Sequence, residues 1–332
     1  MTRRALLFAV LLLQPISLFA SDPPAKPDLL QMACRQAALL DDASRPFVMD
    51  VDFTVQLSLP MQGHLRLRWA AKDRWWSRVS LGKFEQVKFQ NGDRSYTIRN
   101  VGFTPEQIND LMNLLHVGRP YAGLVTRSEK QRTEDGIHLN CLMAQNPDPK
   151  FKREHFEFCV DQATHDIVIE TLTIEGYARD EILQRKYGDY IDFDGHRYPR
   201  TFESFKNGGL VMAATVTALQ DSPLDPKLLI PPAGAIERRE CPDKTTPVML
   251  YHPMPDFAVE HVRGQIESDA EITVQKDGTV SNVEIVRSGG RVNDEQLIMA
   301  LKKWKFKPAM CGTEPVVTDM YEMFNSSNPF LR

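Results

Sequence analysis

Strict alternation of apolar and polar side chains dominates the first two thirds of the chain. Val51, Phe53, Val55, Leu57 and Leu59 alternate with Asp52, Thr54, Gln56 and Ser58, and Leu65, Leu67 and Trp69 alternate with His64, Arg66 and Arg68. A period of two puts one set on a buried face and the other in water, the pattern of antiparallel strands wet on one side. Asn91-Gly92, Asp194-Gly195 and Asn207-Gly208-Gly209 interrupt strand-like runs with residues that tolerate the positive φ of short hairpin loops. Residues 46–220 therefore read as a long antiparallel meander. Two helices accompany it. One spans about Leu29 to Leu40, within a helical segment over 21–45. The other has Thr104 as its cap, Pro105 at its first position, Gln107 completing a capping box, and Ile108, Leu111 and Leu115 facing inward.

The period-two pattern returns near the C-terminus. Ile272 and Val274 share one face while Glu271, Thr273 and Gln275 share the other, and Val283 and Ile285 alternate with Asn282 and Glu284 across a Lys276-Asp277-Gly278 connection. A helix follows, with Asn293 as its cap, Gln296 three residues on, and Leu297, Leu301 and Trp304 on one face. Trp304 and Phe306 read as core residues. Between the two regions, prolines at 223, 226, 231, 232, 242, 247, 253 and 255 predict an irregular linker over 221–250 that separates two bodies.

The hairpin, the Ser288-Gly289-Gly290 turn, the helix ending in Trp304-Lys305-Phe306-Lys307-Pro308-Ala309, and the following Gly312-Thr313-Glu314-Pro315-Val316 together resemble the C-terminal domain of TonB, the periplasmic module that grips outer-membrane receptors. The resemblance covers about residues 251–324, in a domain drawn at 251–326. Its entry differs, with Met254-Pro255 where the family usually has Tyr-Pro. The family resemblance implies a small α+β domain with an antiparallel sheet and two helices, which binds peptides and catalyses nothing. It also implies a last strand, here Val316 to Phe324, that offers a free sheet edge to an extended peptide of an envelope protein such as an outer-membrane receptor. The candidate partner-binding residues are Val316, Val317, Thr318, Asp319, Met320, Tyr321 and Glu322. Upstream, Asp73-Arg74-Trp75-Trp76-Ser77-Arg78, then Phe84 to Phe89, Asn91-Gly92 and Tyr96, resemble the strand-turn-strand beginning of LolA-type lipoprotein carriers. That likeness implies a curved, half-barrel-like antiparallel sheet, so the whole chain reads as α+β. Its concave face would cover a lipid or acyl ligand, or else the same apolar residues fill a closed core. Tyr187 through Arg200 resembles a segment of proteins that join such a β domain to a TonB-like tail, and reads physically as a hairpin.

Met1 to Ala20 places Arg3 and Arg4 before an apolar run from Ala5 to Leu13 and ends in small residues, the layout of a secretory signal cleaved after Ala20. Gln14 and Pro15 interrupt the run short of the roughly 20 apolar residues that span a bilayer. A periplasmic or otherwise exported protein is expected; the rival is an uncleaved leader that anchors an inner-membrane energy transducer. Five cysteines in an exported chain predict disulfides with one thiol left over. The favoured pair is Cys241 with Cys311. Cys141 and Cys159 form a second candidate across a hairpin, although Phe156 and Phe158 suggest that Cys159 faces the polar side unless the sheet is apolar on both faces. Cys34 would be free. His138, Cys141, His155 and Cys159 resemble a zinc set on paper, but a disulfide would consume it. Asp189, Asp192 and Asp194 fit a hairpin better than a calcium loop. The chain lacks Gly-x-Ser-x-Gly, phosphate-loop and His-Glu-x-x-His signatures, so no catalytic site and no cofactor are predicted. A net charge of −4 without a basic stripe argues against nucleic acid.

Overall fold

The computed structural model describes residues 28–118, 124–176, 179–257 and 265–327. The expected leader, residues 1–20, lies outside them. The N-terminal part comprises α1 (Leu29–Ala37), α2 (Leu39–Asp42), β1 (Phe47–Val55), β2 (Met61–Ala71), β3 (Arg74–Leu81), β4 (Phe84–Asn91), β5 (Arg94–Arg99), α3 (Glu106–Leu115), β6 (Val125–Glu134), β7 (Ile137–Gln145), β8 (Glu154–Asp161), β9 (Ile167–Ile174), β10 (Glu181–Phe193), β11 (His196–Lys206) and β12 (Gly209–Asp221). The rest comprises β13 (Ile236–Arg239), β14 (Val248–Tyr251), β15 (Gln265–Val274), β16 (Val280–Arg287), α4 (Arg291–Leu301), β17 (Lys305–Lys307), β18 (Ala309–Cys311), β19 (Glu314–Val316) and β20 (Thr318–Ser327). The fold is α+β: a large curved antiparallel sheet and a small C-terminal sheet domain. The large sheet runs in the order β13, β5, β4, β3, β2, β1, β12, β11, β10, β9, β8, β7, β6.

Alternation predicts these strands because it decides which face meets the core. Val51, Phe53 and Val55 on β1, and Leu65, Leu67 and Trp69 on β2, are buried in one cluster. Leu57 and Leu59 depart from the expectation, at 47% and 79% exposed. Pairing of β1 with β2 closes at Val55 and Met61, so the residues between must reverse the chain and leave the ladder. The apolar rhythm continues past the point where pairing stops. The predicted hairpin turns are present: Asp194 and Gly195 have φ of 50° and 78°, Asn207 and Gly208 have 50° and 81°, and Gly92 has 65°. Two successive positive φ values match the twist of the flanking strands.

The helices cover the apolar face of the large sheet. Leu30, Ala33 and Ala37 of α1 and Leu111, Leu114 and Leu115 of α3 join Phe53, Leu65, Tyr198 and Phe202 in the same buried cluster. The Tyr198 hydroxyl donates to the Leu115 carbonyl at 2.6 Å. The first helix is capped by Asp28, whose carboxylate accepts from the Leu30 amide at 3.0 Å, and it breaks at Ala38 before α2. Thr104 does not cap α3. Pro105 occupies the cap position without a side-chain bond, because the Thr104 hydroxyl is engaged elsewhere, donating to Gln86 at 2.5 Å and accepting from Arg99 at 3.2 Å.

In the C-terminal part, β15 is central between β16 and β20. Ala270, Ile272 and Val274 pack on Leu297, Leu301, Trp304, Phe306 and Phe324. Trp304 and Phe306 are core residues, as expected. Gly278 has φ of 80°, and a Cβ there would lie 1.9 Å from the Phe306 carbonyl oxygen, so both the turn and the close crossing of β17 demand glycine. Asn293 is not the cap of α4. The helix starts at Arg291 after Gly290, and Asn293 instead donates to the Gly289 carbonyl at 2.9 Å. Asp294 ties down the turn before the helix, accepting from the Gly289 amide at 2.9 Å and from Ser288 at 2.6 Å. Among the described residues of this part, α4 is the one helix; the second helix implied by the resemblance is not among them.

Residues 221–250 are not irregular throughout. A 3-10 turn spans Pro226–Leu229, β13 pairs with β5, and β14 pairs with β17. Each strand occupies a proline-free window, between prolines 232 and 242 and between 247 and 253, where no amide is missing from the ladder. Both predicted cysteine pairs are bonded. Cys141 lies directly opposite Cys159, in a small cluster with Leu139 and Ile169 on one face, while Leu142, Ala144, Phe156 and Phe158 fill the main core on the other. The sheet is apolar on both faces here, which removes the conflict raised by the two phenylalanines. Cys34 is free, and burial pushes its thiol up to about 12, so it is inert as a thiolate.

Candidate functional site

The candidate partner-binding residues fall into two groups. Val316 belongs to β19, opposite Ala309, and both it and Val317 are buried at the corner before the last strand. Thr318 to Glu322 lie on β20, which pairs with β15 from Thr318 opposite Val274 to Ser327 opposite Gln265. Its other edge is unpaired among the described residues. Register decides the faces. Thr318, Met320, Glu322 and Phe324 sit opposite Val274, Ile272, Ala270 and Ser268, on the side of α4, and Phe324 packs against Trp304 with ring centroids 5.8 Å apart. Burial holds the Glu322 carboxyl above its ordinary range.

Asp319, Tyr321 and Met323 point to the opposite face. Asp319 accepts from Thr273 at 2.7 Å and from Arg238 at 2.5 Å. The Tyr321 hydroxyl donates to Asp269 at 2.7 Å, and that bond, with burial, raises its pKa. Tyr321 and Met323 are 52% and 75% exposed, so the strand becomes open to solvent beyond Asp319.

The polar face of β15 is not the wet face that its sequence suggests. Asp269 and Thr273 are buried, and burial, then the neighbouring Asp319, pushes the Glu271 carboxyl up. This face rests on the end of the large sheet. Arg238 of β13 reaches Asp319, and Glu314 accepts from Arg239 at 2.6 Å and from Arg94 at 3.2 Å. Glu237 accepts from Arg94 at 2.5 Å and from Lys276 at 3.2 Å. Burial opposes ionisation of Glu237, yet the bonds and charges of Lys276 and Arg94 hold its carboxyl below the usual range. The Cys241–Cys311 bridge stands beside this network, two residues after β13. Sequence reading missed it because partners such as Arg94 and Glu314 are 220 residues apart. The local signal that could have found it is the run Glu237-Arg238-Arg239 in the longest proline-free stretch of the linker before Cys241.

The metal candidates are otherwise engaged. Cys141, Glu157 and Cys159 lie together, but the two sulfurs are bonded to each other. His138 meets Thr133 at 3.0 Å and His155 meets Glu175 at 2.8 Å. Asp194 takes both the backbone amide and the side chain of Ser44 and of Arg45, joining the β10–β11 turn to the segment before β1. Among the described residues no helix is long and apolar enough to cross a membrane.

Residues 265–325 match the family described as "Gram-negative bacterial TonB protein C-terminal". The match begins after the divergent Met254-Pro255 entry. No curated protein matches the chain. Among solved structures, the chain is similar to a LolA superfamily protein from Nitrosomonas europaea, at 11% identity and a TM-score of 0.41, over 60% of this chain and 97% of that one. A putative outer membrane lipoprotein-sorting protein domain from Vibrio parahaemolyticus follows at 8% identity and 0.39, over 59% and 94%. The Pseudomonas aeruginosa MucA/MucB complex gives 10% identity and 0.28, over 91% and 95%. The first of these carries the LolA name that residues 73–96 resemble. With β15, β16, α4 and β20 assembled around Trp304 and the family matched over that same stretch, residues 265–325 form a TonB C-terminal-type domain.

Proposed function

We propose that the chain is an exported, non-enzymatic envelope protein that captures an extended peptide of another envelope protein by strand addition along the outer edge of β20. The observation that carries this reading is that β20 pairs on one side only among the described residues. An unpaired edge presents a row of amides and carbonyls whose hydrogen bonds give affinity, while alternating side chains give choice. Val316 and Val317 are too buried to take part, so the edge in use starts at Thr318. Exposure of Tyr321 and Met323 favours its second half. The lipid-carrier reading is less well supported, because α1 and α3 already fill the apolar face of the large sheet.

Successive amides of a strand point to opposite edges, so Met320→Pro and Tyr321→Pro test opposite sides of β20. One variant removes a bond to β15 and destabilises the domain. The other leaves the ladder intact and is expected to abolish binding to an array of peptides from outer-membrane receptors. Equal binding by the folded proline variant and the parent refutes the proposal. Intact mass from fractionated cells tests export: a soluble species starting at Ser21 is expected, and a membrane-bound species retaining Met1 would favour an anchored transducer.

A further inference from the structure

Beneath the docked C-terminal sheet lies a polar pocket of about 190 Å³, lined by Lys88 and Arg99 of the large sheet, Arg238 of β13, Glu271 of β15 and Asp319 of β20. Its charges are unevenly satisfied. Arg238 and Asp319 pair with each other. Arg99 uses only Nη1, donating to Thr104, and its Nε and Nη2 are buried without any hydrogen-bond partner. Lys88 makes no ion pair among the described residues. Glu271 lines the same pocket without reaching the Arg99 fork.

Nε and Nη2 form one edge of the guanidinium, the pair of parallel donors that grips two oxygens of a phosphate or carboxylate. Leaving both unpaired is costly, and an acceptor inside the pocket, whether water or anion, would offset that cost. The volume suits a small ion: at about 30 Å³ per water, the pocket holds roughly six waters. We infer that this pocket binds a single phosphate-sized oxyanion, seated on the Nε–Nη2 edge of Arg99 and beside Lys88. Burial, and then the charge of Arg238, lowers the pKa of both Arg99 and Lys88, and an anion would relieve both. Because the lining comes from both parts of the chain, the bound ion staples the TonB-type domain to the large sheet. This site is independent of the strand edge and of whether a peptide binds there.

The test is titration of the full-length mature protein with inorganic phosphate, followed by calorimetry and by melting temperature at constant ionic strength. Saturable binding of one ion is expected, weakened at least tenfold in Arg99→Gln and also in Arg99→Lys, which keeps the charge but loses the fork. Lys88→Gln serves as the second variant, and circular dichroism checks that each is folded. Arg78→Gln, remote from the pocket, is expected to bind like the parent. Absence of saturable binding by the folded parent overturns the inference, as does undiminished binding by both Arg99 variants. Vesicles of phosphatidylglycerol separate a free ion from a lipid headgroup: no binding is expected, and Arg99-dependent vesicle binding without a response to phosphate overturns the free-ion assignment.

Discussion

Replacing Cys241 and Cys311 together by alanine should loosen the C-terminal domain far more than the large sheet. The bridge closes a loop of 70 residues. That loop holds β14 through β17 and α4, nearly all of the small core, so the restriction on the unfolded chain applies directly to that domain. Loop-closure entropy for this length is worth about 4 kcal/mol, against about 3 kcal/mol for the shorter Cys141–Cys159 loop. Hydrogen exchange with mass spectrometry reads this region by region, because slow amides report the free energy of local opening. Peptides from β15 and α4 are expected to lose about 4 kcal/mol of protection, while peptides from β1, β11 and β12 keep theirs. A loss below about 1 kcal/mol in β15 and α4 would refute the reasoning, since it would mean that β13, β14 and the ion pairs hold the domain without the bridge. An equal loss in both parts would show that they open as one unit.

Two further outcomes follow from particular side chains. Asp194 is held below the ordinary carboxylate range despite its burial, by bonds from Arg45 and Ser44. A depressed folded-state pKa contributes stability that is present above the unfolded value of about 3.9 and is lost as pH falls through the folded value. Urea unfolding of Asp194→Asn should therefore show lower stability than the parent at pH 6 and a shallower decline below pH 4; parallel pH profiles would count against this. Leu59→Asp should change stability by no more than about 0.5 kcal/mol, whereas Leu65→Ala, in the buried cluster, should cost roughly 2–5 kcal/mol, both read from denaturant midpoints.

Much of the architecture was legible because it is local. The rhythm of Val51, Phe53, Val55, Leu65 and Leu67 selects a buried face without reference to anything distant, and Asp194-Gly195 and Asn207-Gly208 specify their turns through φ alone. The faces of α3 and α4, and the core roles of Trp304 and Phe306, follow from the same kind of short-range pattern. Of the candidate edge, sequence reading reached the strand but overran its start, because two buried valines at a corner look like the first residues of a strand.

What the sequence by itself determined, then, is the secondary-structure rhythm, the turn positions, the cysteine pairs as candidates and the TonB-type character of the tail. Tertiary structure decided where each rhythm stops and what covers it. Leu57 and Leu59 leave the core because pairing ends at Val55. Thr104 loses its capping role because Gln86 and Arg99 engage its hydroxyl, and Asn293 loses its own because α4 begins two residues before it. Glu271 and Thr273 turn from a wet face into an interface, and Arg94, Arg238 and Arg239 become its pegs. The physical reason is range: period and φ preference act over a few residues, whereas burial and charge pairing depend on which distant segments the fold brings within a few ångströms.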